Sequence, residues 1–102
     1  MTFANVENDI EMWGYDRGIV QNGKPMGQAI KTLEEATELV DAIHRNDRAA
    51  IIDAIGDVGV TLLMQCAIQG VTFTQCLKAA YDQIKDRKGF LRPDGVFVRD
   101  SK

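Results

Sequence analysis

Glu34-Glu35-Ala36-Thr37-Glu38-Leu39-Val40-Asp41-Ala42-Ile43 runs into the polar break His44-Arg45-Asn46-Asp47, beyond which an apolar stretch carries Asp53 and Asp57. As helices, the two halves set Glu35 and Glu38 three residues apart and Asp53 and Asp57 four apart, so each pair shares one helical face. A tight turn at Arg45-Asn46 folds the halves antiparallel, and positions equally distant from it meet: Glu38 opposite Asp53, Glu35 beside Asp57. Four carboxylates are thereby expected in one small volume. Like charges that close repel, and they stay ionised together only around a divalent cation. The stretch reads as a metal site.

The second half strengthens that reading. Glutamates such as Glu34, Glu35 and Glu38 alone would pass for a solvated helix face, but Ala49 to Gln69 has apolar residues round nearly its whole circumference, from Ile51, Ile52 and Ile55 to Met64, Cys66 and Ile68. Such a helix is expected to be mostly buried, and a buried carboxylate without a partner costs several kcal/mol, so Asp53 and Asp57 need one. No Lys or Arg lies within a turn of either on the apolar stretch. Gly56 and Gly59 flank Asp57 and leave room for another chain or a ligand to approach.

Outward from this stretch, Thr2 caps a first helix over 3–17 with the stripe Phe3, Val6, Ile10 and Trp13. Gly14, Gly18 and Gln21-Asn22-Gly23-Lys24-Pro25 end the pattern and predict a loop. A second helix over 26–44 has Ile30, Leu33, Ala36, Val40 and Ile43 as its core stripe, and a third covers 48–69. Gly70 closes the third helix, and Thr72-Phe73-Thr74-Gln75 is a capping box opening a fourth over 73–88. That helix carries the stripe Phe73, Cys76, Leu77, Ala80, Tyr81 and Ile84 and ends on Lys85-Asp86-Arg87-Lys88, with Gly89 as its C-cap. Pro93-Asp94-Gly95 between two short apolar runs predicts a hairpin over 90–98. The expected fold is an all-α four-helix bundle with a short C-terminal hairpin, one domain over 1–102.

The chain has 102 residues, 45% hydrophobic and 26% charged, enough for a modest single core. A net charge of −3 removes the broad attraction that general nucleic-acid or acidic-membrane binding requires. The N-terminus has no basic region followed by an apolar core, and no eighteen residues run without polar interruption, so a soluble cytoplasmic protein is expected. Cys66 and Cys76 lack Cys-x-x-Cys spacing and lie on apolar helical faces, which reads as reduced core thiols. Trp13 sits beside a glycine-rich loop and is a candidate to stack on a base.

Glu34-Glu35-Ala36-Thr37-Glu38-Leu39 followed by Asp53-Ala54-Ile55-Gly56-Asp57-Val58 resembles the Glu-Glu-x-x-Glu and Glu-x-x-Asp signature of the MazG-like, all-α nucleotide pyrophosphohydrolases. Tyr81 to Gly89 with Gly95-Val96-Phe97-Val98 is similar to the endings of its small, phage-type members, which would place the protein in the host cytoplasm. The resemblance implies hydrolysis of an NTP or dNTP to a nucleoside monophosphate and pyrophosphate. It further implies Mg2+, with Mn2+ as a substitute, held by Glu35, Glu38 and Asp57. The family's fourth ligand falls on Ala54, and Asp53 is one position away, about 100° round the helix. Three readings of Ala54 stand: a variant that uses Asp53, a protein that binds nucleotide without turnover, or a deliberate Glu-to-Ala change. The polyphosphate also needs cations, for which Lys31, Lys85, Arg87 and Lys88 are the candidates, with Tyr81 as a further substrate contact. A bundle this small leaves apolar surface thinly covered, and the resemblance implies a homodimer or homotetramer with pockets near subunit interfaces. A di-iron carboxylate bundle would need Glu-x-x-His pairs, and only Asp41-Ala42-Ile43-His44 comes near one.

Overall fold

Asp47 starts the helix on which the rest of the chain packs. Its side chain accepts from the Ala50 N–H at 3.1 Å, and α4 (Arg48–Gln69) runs from there to Gly70, whose φ of 73° ends it in the left-handed conformation. The computed structural model describes residues 1–100. Before α4 come α1 (Phe3–Asp16), α2 (Ile19–Asn22) and α3 (Pro25–His44); after it come α5 (Phe73–Ile84), β1 (Gly89–Leu91) and β2 (Phe97–Arg99). The all-α architecture with a short C-terminal hairpin is as the sequence led us to expect, with a fifth helix added.

α3 and α4 form an antiparallel pair around the turn Arg45-Asn46-Asp47. Asn46 takes φ 54°, a left-handed conformation that asparagine tolerates, while its N–H and that of Asp47 donate to the Ile43 and Ala42 carbonyls. Arg45 pins the turn by pairing with Asp41 at 3.0 Å and Asp47 at 3.3 Å. Further along, the buried Thr61 hydroxyl accepts from Thr32 at 2.9 Å and donates to the Val58 carbonyl at 2.7 Å. Gln28 donates to the Thr61 carbonyl and Gln65 to the Pro25 carbonyl. These cross-helix bonds set the register that places Glu35 and Glu38 against Asp57.

α1 opens on the expected Thr2 cap, here a capping box with Asn5, and packs on α4 at Gly14. A Cβ at Gly14 would lie 2.4 Å from Met64 Sδ, so this residue is a point of close helix approach inside α1, not its end. The loop expected after α1 contains α2, one turn begun by Gly18 at φ 75° and packed on α1 and α4. Single-turn helices carry too little periodicity to be read from sequence.

The fourth long helix is shorter than expected. α5 keeps its Thr72–Gln75 capping box but stops at Ile84, so Lys85, Arg87 and Lys88 lie in the turn beyond it and Gly89 belongs to β1. The hairpin pairs Gly89 with Arg99, Phe90 with Val98 and Leu91 with Phe97 around Pro93-Asp94-Gly95. Among the described residues α5 packs only on α4, and β1 and β2 only on each other.

The buried set is small: Gly14, Ala42, Ala54, Thr61, Met64 and Cys66. The expected α3 stripe is not core, since Ile30, Leu33, Val40 and Ile43 are each more than half exposed. α4 is half-buried along much of its length, with Ile52 and Ile55 exposed. Among the described residues α3 packs on α4 alone, so its apolar stripe faces outward. The chain exposes 7842 Å², against about 5,700 Å² for a compact monomer of its mass. Its radius of gyration is 15.9 Å, where about 13 Å is usual for this length. α4 also reaches a mean hydropathy of 1.7 over eighteen residues, enough by length and composition for a membrane span, yet α1, α2, α3 and α5 pack against it.

Candidate functional site

Glu35 and Glu38 project from one face of α3, and Asp57 meets them from α4. One carboxylate oxygen from each lies within 4.8 Å of the others. Glu35 is the innermost, its side chain 12% exposed, and the two oxygens of its carboxylate have different surroundings. Oε1 takes an ion pair from Lys31 Nζ at 3.3 Å; Oε2 is buried and has no hydrogen-bond partner. A buried charged oxygen without a donor is costly unless a cation satisfies it. That orphan oxygen, inside a cluster of hard oxygen donors, could be satisfied by a hard divalent cation.

The electrostatics agree. The Glu38 carboxyl is raised above its ordinary range, first by a hydrogen bond with Glu35 and then by that carboxylate's charge, and the Asp57 carboxyl is raised by burial and then by Asp53 and Glu35. Lys31 is raised by its bonds to Glu35 and then Glu34. Three carboxylates with one lysine leave a surplus of negative charge that a divalent cation would neutralise.

Asp57 sits between two clefts. The first, about 370 Å³, is lined by Glu35, Asp57 and Lys31 and by the apolar Trp13, Ile19, Val60 and Met64, with Gln28 and Thr61 completing it. Arg17 lies over the Trp13 ring at 5.3 Å. The second cleft, about 240 Å³, is lined by Glu38 and Asp57 together with Asp53, Ala54, Asp41 and Arg45.

Of the sequence-derived candidates, the fold therefore brings Glu35, Glu38, Asp57, Lys31 and Trp13 together. Asp53 is exposed and adjoins Asp57 in the second cleft, but it is not among the three oxygens that converge, so the expected fourfold cluster is threefold. Ala54 is buried and lines that same cleft beside Glu38, Asp53 and Asp57. Tyr81, Lys85, Arg87 and Lys88 are elsewhere. Arg87 and Lys88 line an open groove of about 940 Å³ between the end of α5 and the hairpin, Lys85 pairs with Asp82 at 3.7 Å, and Tyr81 is 60% exposed. His44 is exposed at the last turn of α3, away from the cluster, which removes the di-iron reading.

Sequence reading did not single out Ile19, Gln28, Thr61 or Met64 as parts of the site. Ile19 arrives through the unpredicted α2. Gln28 and Thr61 belong to the site only because they bond across helices 33 positions apart.

The family of the MazG nucleotide pyrophosphohydrolase domain matches residues 27–90, a span that holds the whole acidic cluster. The chain belongs to this family. A phage relative is 38% identical over 56 residues, 55% of this chain: the "uncharacterized 18.2 kDa protein in rep-hol intergenic region" of Haemophilus phage HP1 (strain HP1c1). The MazG-like chain spans 34% of that relative's length. Among solved structures, the cyanophage S-2L MazG-like pyrophosphohydrolase bound to dGDP and three catalytic Mn2+ ions per active site has a TM-score of 0.74 at 24% identity. That match covers 100% of this chain and 96% of the other, and it shows the shared fold.

Proposed function

We propose that this MazG-like chain hydrolyses an NTP or dNTP between the α and β phosphorus atoms, releasing a nucleoside monophosphate and pyrophosphate, with divalent cations held by Glu35, Glu38 and Asp57. The observation that carries this is the buried Oε2 of Glu35, without a hydrogen-bond partner among the described residues, within the three-carboxylate cluster and beside a cleft lined by apolar side chains. Mg2+, or Mn2+ in its place, would supply charge neutralisation on the phosphoryl oxygens and a more acidic attacking water. The S-2L neighbour, solved with a nucleotide and Mn2+, supports the same class of ligand here.

The chain's own residues have separable tasks in this reading. Glu35, Glu38 and Asp57 provide the anionic cage, and Lys31 orients Glu35 while offering a positive charge to the polyphosphate. Trp13, Ile19 and Met64 give the base an apolar slot that excludes water. Tyr81, Lys85, Arg87 and Lys88 supply the remaining positive and polar contacts from a second subunit, since none of them lines either cleft beside the cluster of its own chain. A homodimer or homotetramer follows, and the excess surface of the single chain supports it. We place the protein in the cytoplasm, that of the host for a phage gene product.

Ala54 favours a second reading, nucleotide binding without turnover, since a side chain with no donor faces the cleft between Glu38 and Asp57. The deciding experiment is a pyrophosphate-release screen of all NTPs and dNTPs with and without Mg2+ or Mn2+, run beside Asp57→Asn. Hydrolysis is expected from the parent chain with at least one nucleotide and from none with the variant. Metal-dependent nucleotide binding by calorimetry without pyrophosphate release would establish the binding reading, and neither signal would refute both.

A further inference from the structure

The joint between α4 and α5 holds the only two cysteines in the chain, with Cys66 Sγ and Cys76 Sγ 4.0 Å apart. Both are free thiols, and they differ in access: Cys66 is buried, whereas Cys76 is exposed and so not the core thiol that the stripe suggested. We propose that they form a reversible intramolecular disulfide that fastens α5 to α4, with a low-molecular-weight disulfide as the oxidant.

Three observations carry this. An S–S bond is about 2.05 Å long, so the sulfurs must close by about 2 Å. Cys76 is exposed with its sulfur already beside Cys66, and a cavity of about 90 Å³ at Cys66, lined by Glu7 and Glu11 as well as Leu63, Ala67, Val71 and Phe73, gives the buried side room to adjust. Secondly, the turn between the cysteines is already built. Gly70 in the left-handed region and the Thr72–Gln75 capping box hold α4 and α5 in this relation, so little chain entropy opposes ring closure. Thirdly, among the described residues α5 packs on no element but α4, so the bond would strengthen the one attachment that holds it.

The chemistry is two successive exchanges. Cys76 thiolate attacks one sulfur of the oxidant RSSR, breaking its S–S bond and releasing RS⁻, which is protonated to RSH. Cys66 thiolate then attacks the Cys76 sulfur of the mixed disulfide, forming the protein disulfide and expelling the second RS⁻, which also leaves as RSH. The protein loses two protons and two electrons, and RSSR becomes two RSH. Burial, then Cys76 and Glu7, push the Cys66 thiol up to about 11, so the second exchange is the slower at neutral pH. Under the proposed function, α5 carries contacts for a neighbouring subunit's substrate, and oxidation would fix their angle; the bond itself does not depend on that reading.

The test is to incubate the folded full chain with glutathione disulfide. The expected product has lost both titratable thiols, is lighter by two hydrogens, runs as a single chain on a non-reducing gel, and melts about 5–15 °C higher until dithiothreitol reverses it. Cys76→Ser, a change at an exposed position, keeps its one thiol and shows no rise. A stable glutathione adduct on Cys76 with Cys66 still titratable, a covalent pair of chains, or no reaction would each overturn the proposal. A disulfide that forms without raising the melting temperature would overturn the fastening of α5.

Discussion

Glu35→Gln should make the protein more stable without metal and less stable with it. In the chain as it stands, Glu35 Oε2 is buried without a donor and crowded by Glu38 and Asp57. An amide removes one negative charge from the cluster, gives its neighbours an N–H donor, and keeps an oxygen for Lys31. Relieving one unsatisfied buried oxygen is worth about 1 kcal/mol or more. For a domain of this length that is a rise of about 4–8 °C in melting temperature. The Lys31 pair subtracts little, because the lysine is more than half exposed. With cation at a hundredfold excess over its dissociation constant, the parent chain gains about 2.7 kcal/mol, or about 10–20 °C. The variant, having lost a charged ligand, gains much less. The assay is thermal melting of both proteins at one fixed concentration, in chelator and across a magnesium or manganese series, and the expected signature is that the two curves cross. An equal metal-induced rise in both proteins would remove Glu35 from the site. A variant that melts below its parent in chelator would show that the buried carboxylate is satisfied in some other way.

Two further outcomes follow from the same cluster. Glu38 and Asp57 have carboxyls raised in the folded state, so between the ordinary range near pH 4 and their raised values the native chain holds more protons than the unfolded one; without metal, stability from this pair grows as pH falls through that window and is lost as pH rises. Urea midpoints of the parent minus those of Asp57→Asn isolate the effect, and a difference that moves the other way between pH 7 and 5 would contradict it. Ala54→Glu fills the cleft beside Glu38 and Asp57, and should raise pyrophosphate release about 10²–10³-fold while lowering stability in chelator. If Asp53 already acts as the fourth ligand, Asp53→Asn would be severe in the parent and mild in that background, whereas unchanged activity in Ala54→Glu would leave only nucleotide binding.

What could be read from the sequence was what is local. Glu35 and Glu38 share a face because they are three apart, and a turn at Arg45-Asn46 is enough to bring Asp57 to them, so most of the cluster needs no knowledge of the rest of the fold. The Thr2 and Thr72 caps and the Gly70 stop are equally local, each a bond within four residues. Asp53 shares the face of Asp57 but stands one turn, about 6 Å, nearer the α3–α4 turn, where it is exposed, and its carboxylate is not among the three that converge. The α3 stripe misled because periodicity identifies an apolar face without identifying its partner; Ile30, Leu33, Val40 and Ile43 are patterned for burial that one chain does not provide. Trp13 could be nominated but Ile19 could not, since its place in the cleft depends on a single turn of helix begun by Gly18. Lys85, Arg87 and Lys88 were legible as a basic cluster, yet where they act depends on α5, which the chain anchors only at its start.

The short turn between α3 and α4 also bears on the order of folding events. Glu35 and Asp57 are close in sequence by the standard of tertiary contacts, and the pair of helices that carries them closes around three residues held by Arg45 and Asn46. Local contacts of this kind are expected early, ahead of the docking of α1. If the three carboxylates meet before the folding barrier is crossed, their repulsion acts on the transition state as well as on the finished fold. A divalent cation bound there would relieve it at both stages and is expected to act chiefly through faster folding, whereas a ligand that recognised only the completed bundle would act by slowing unfolding.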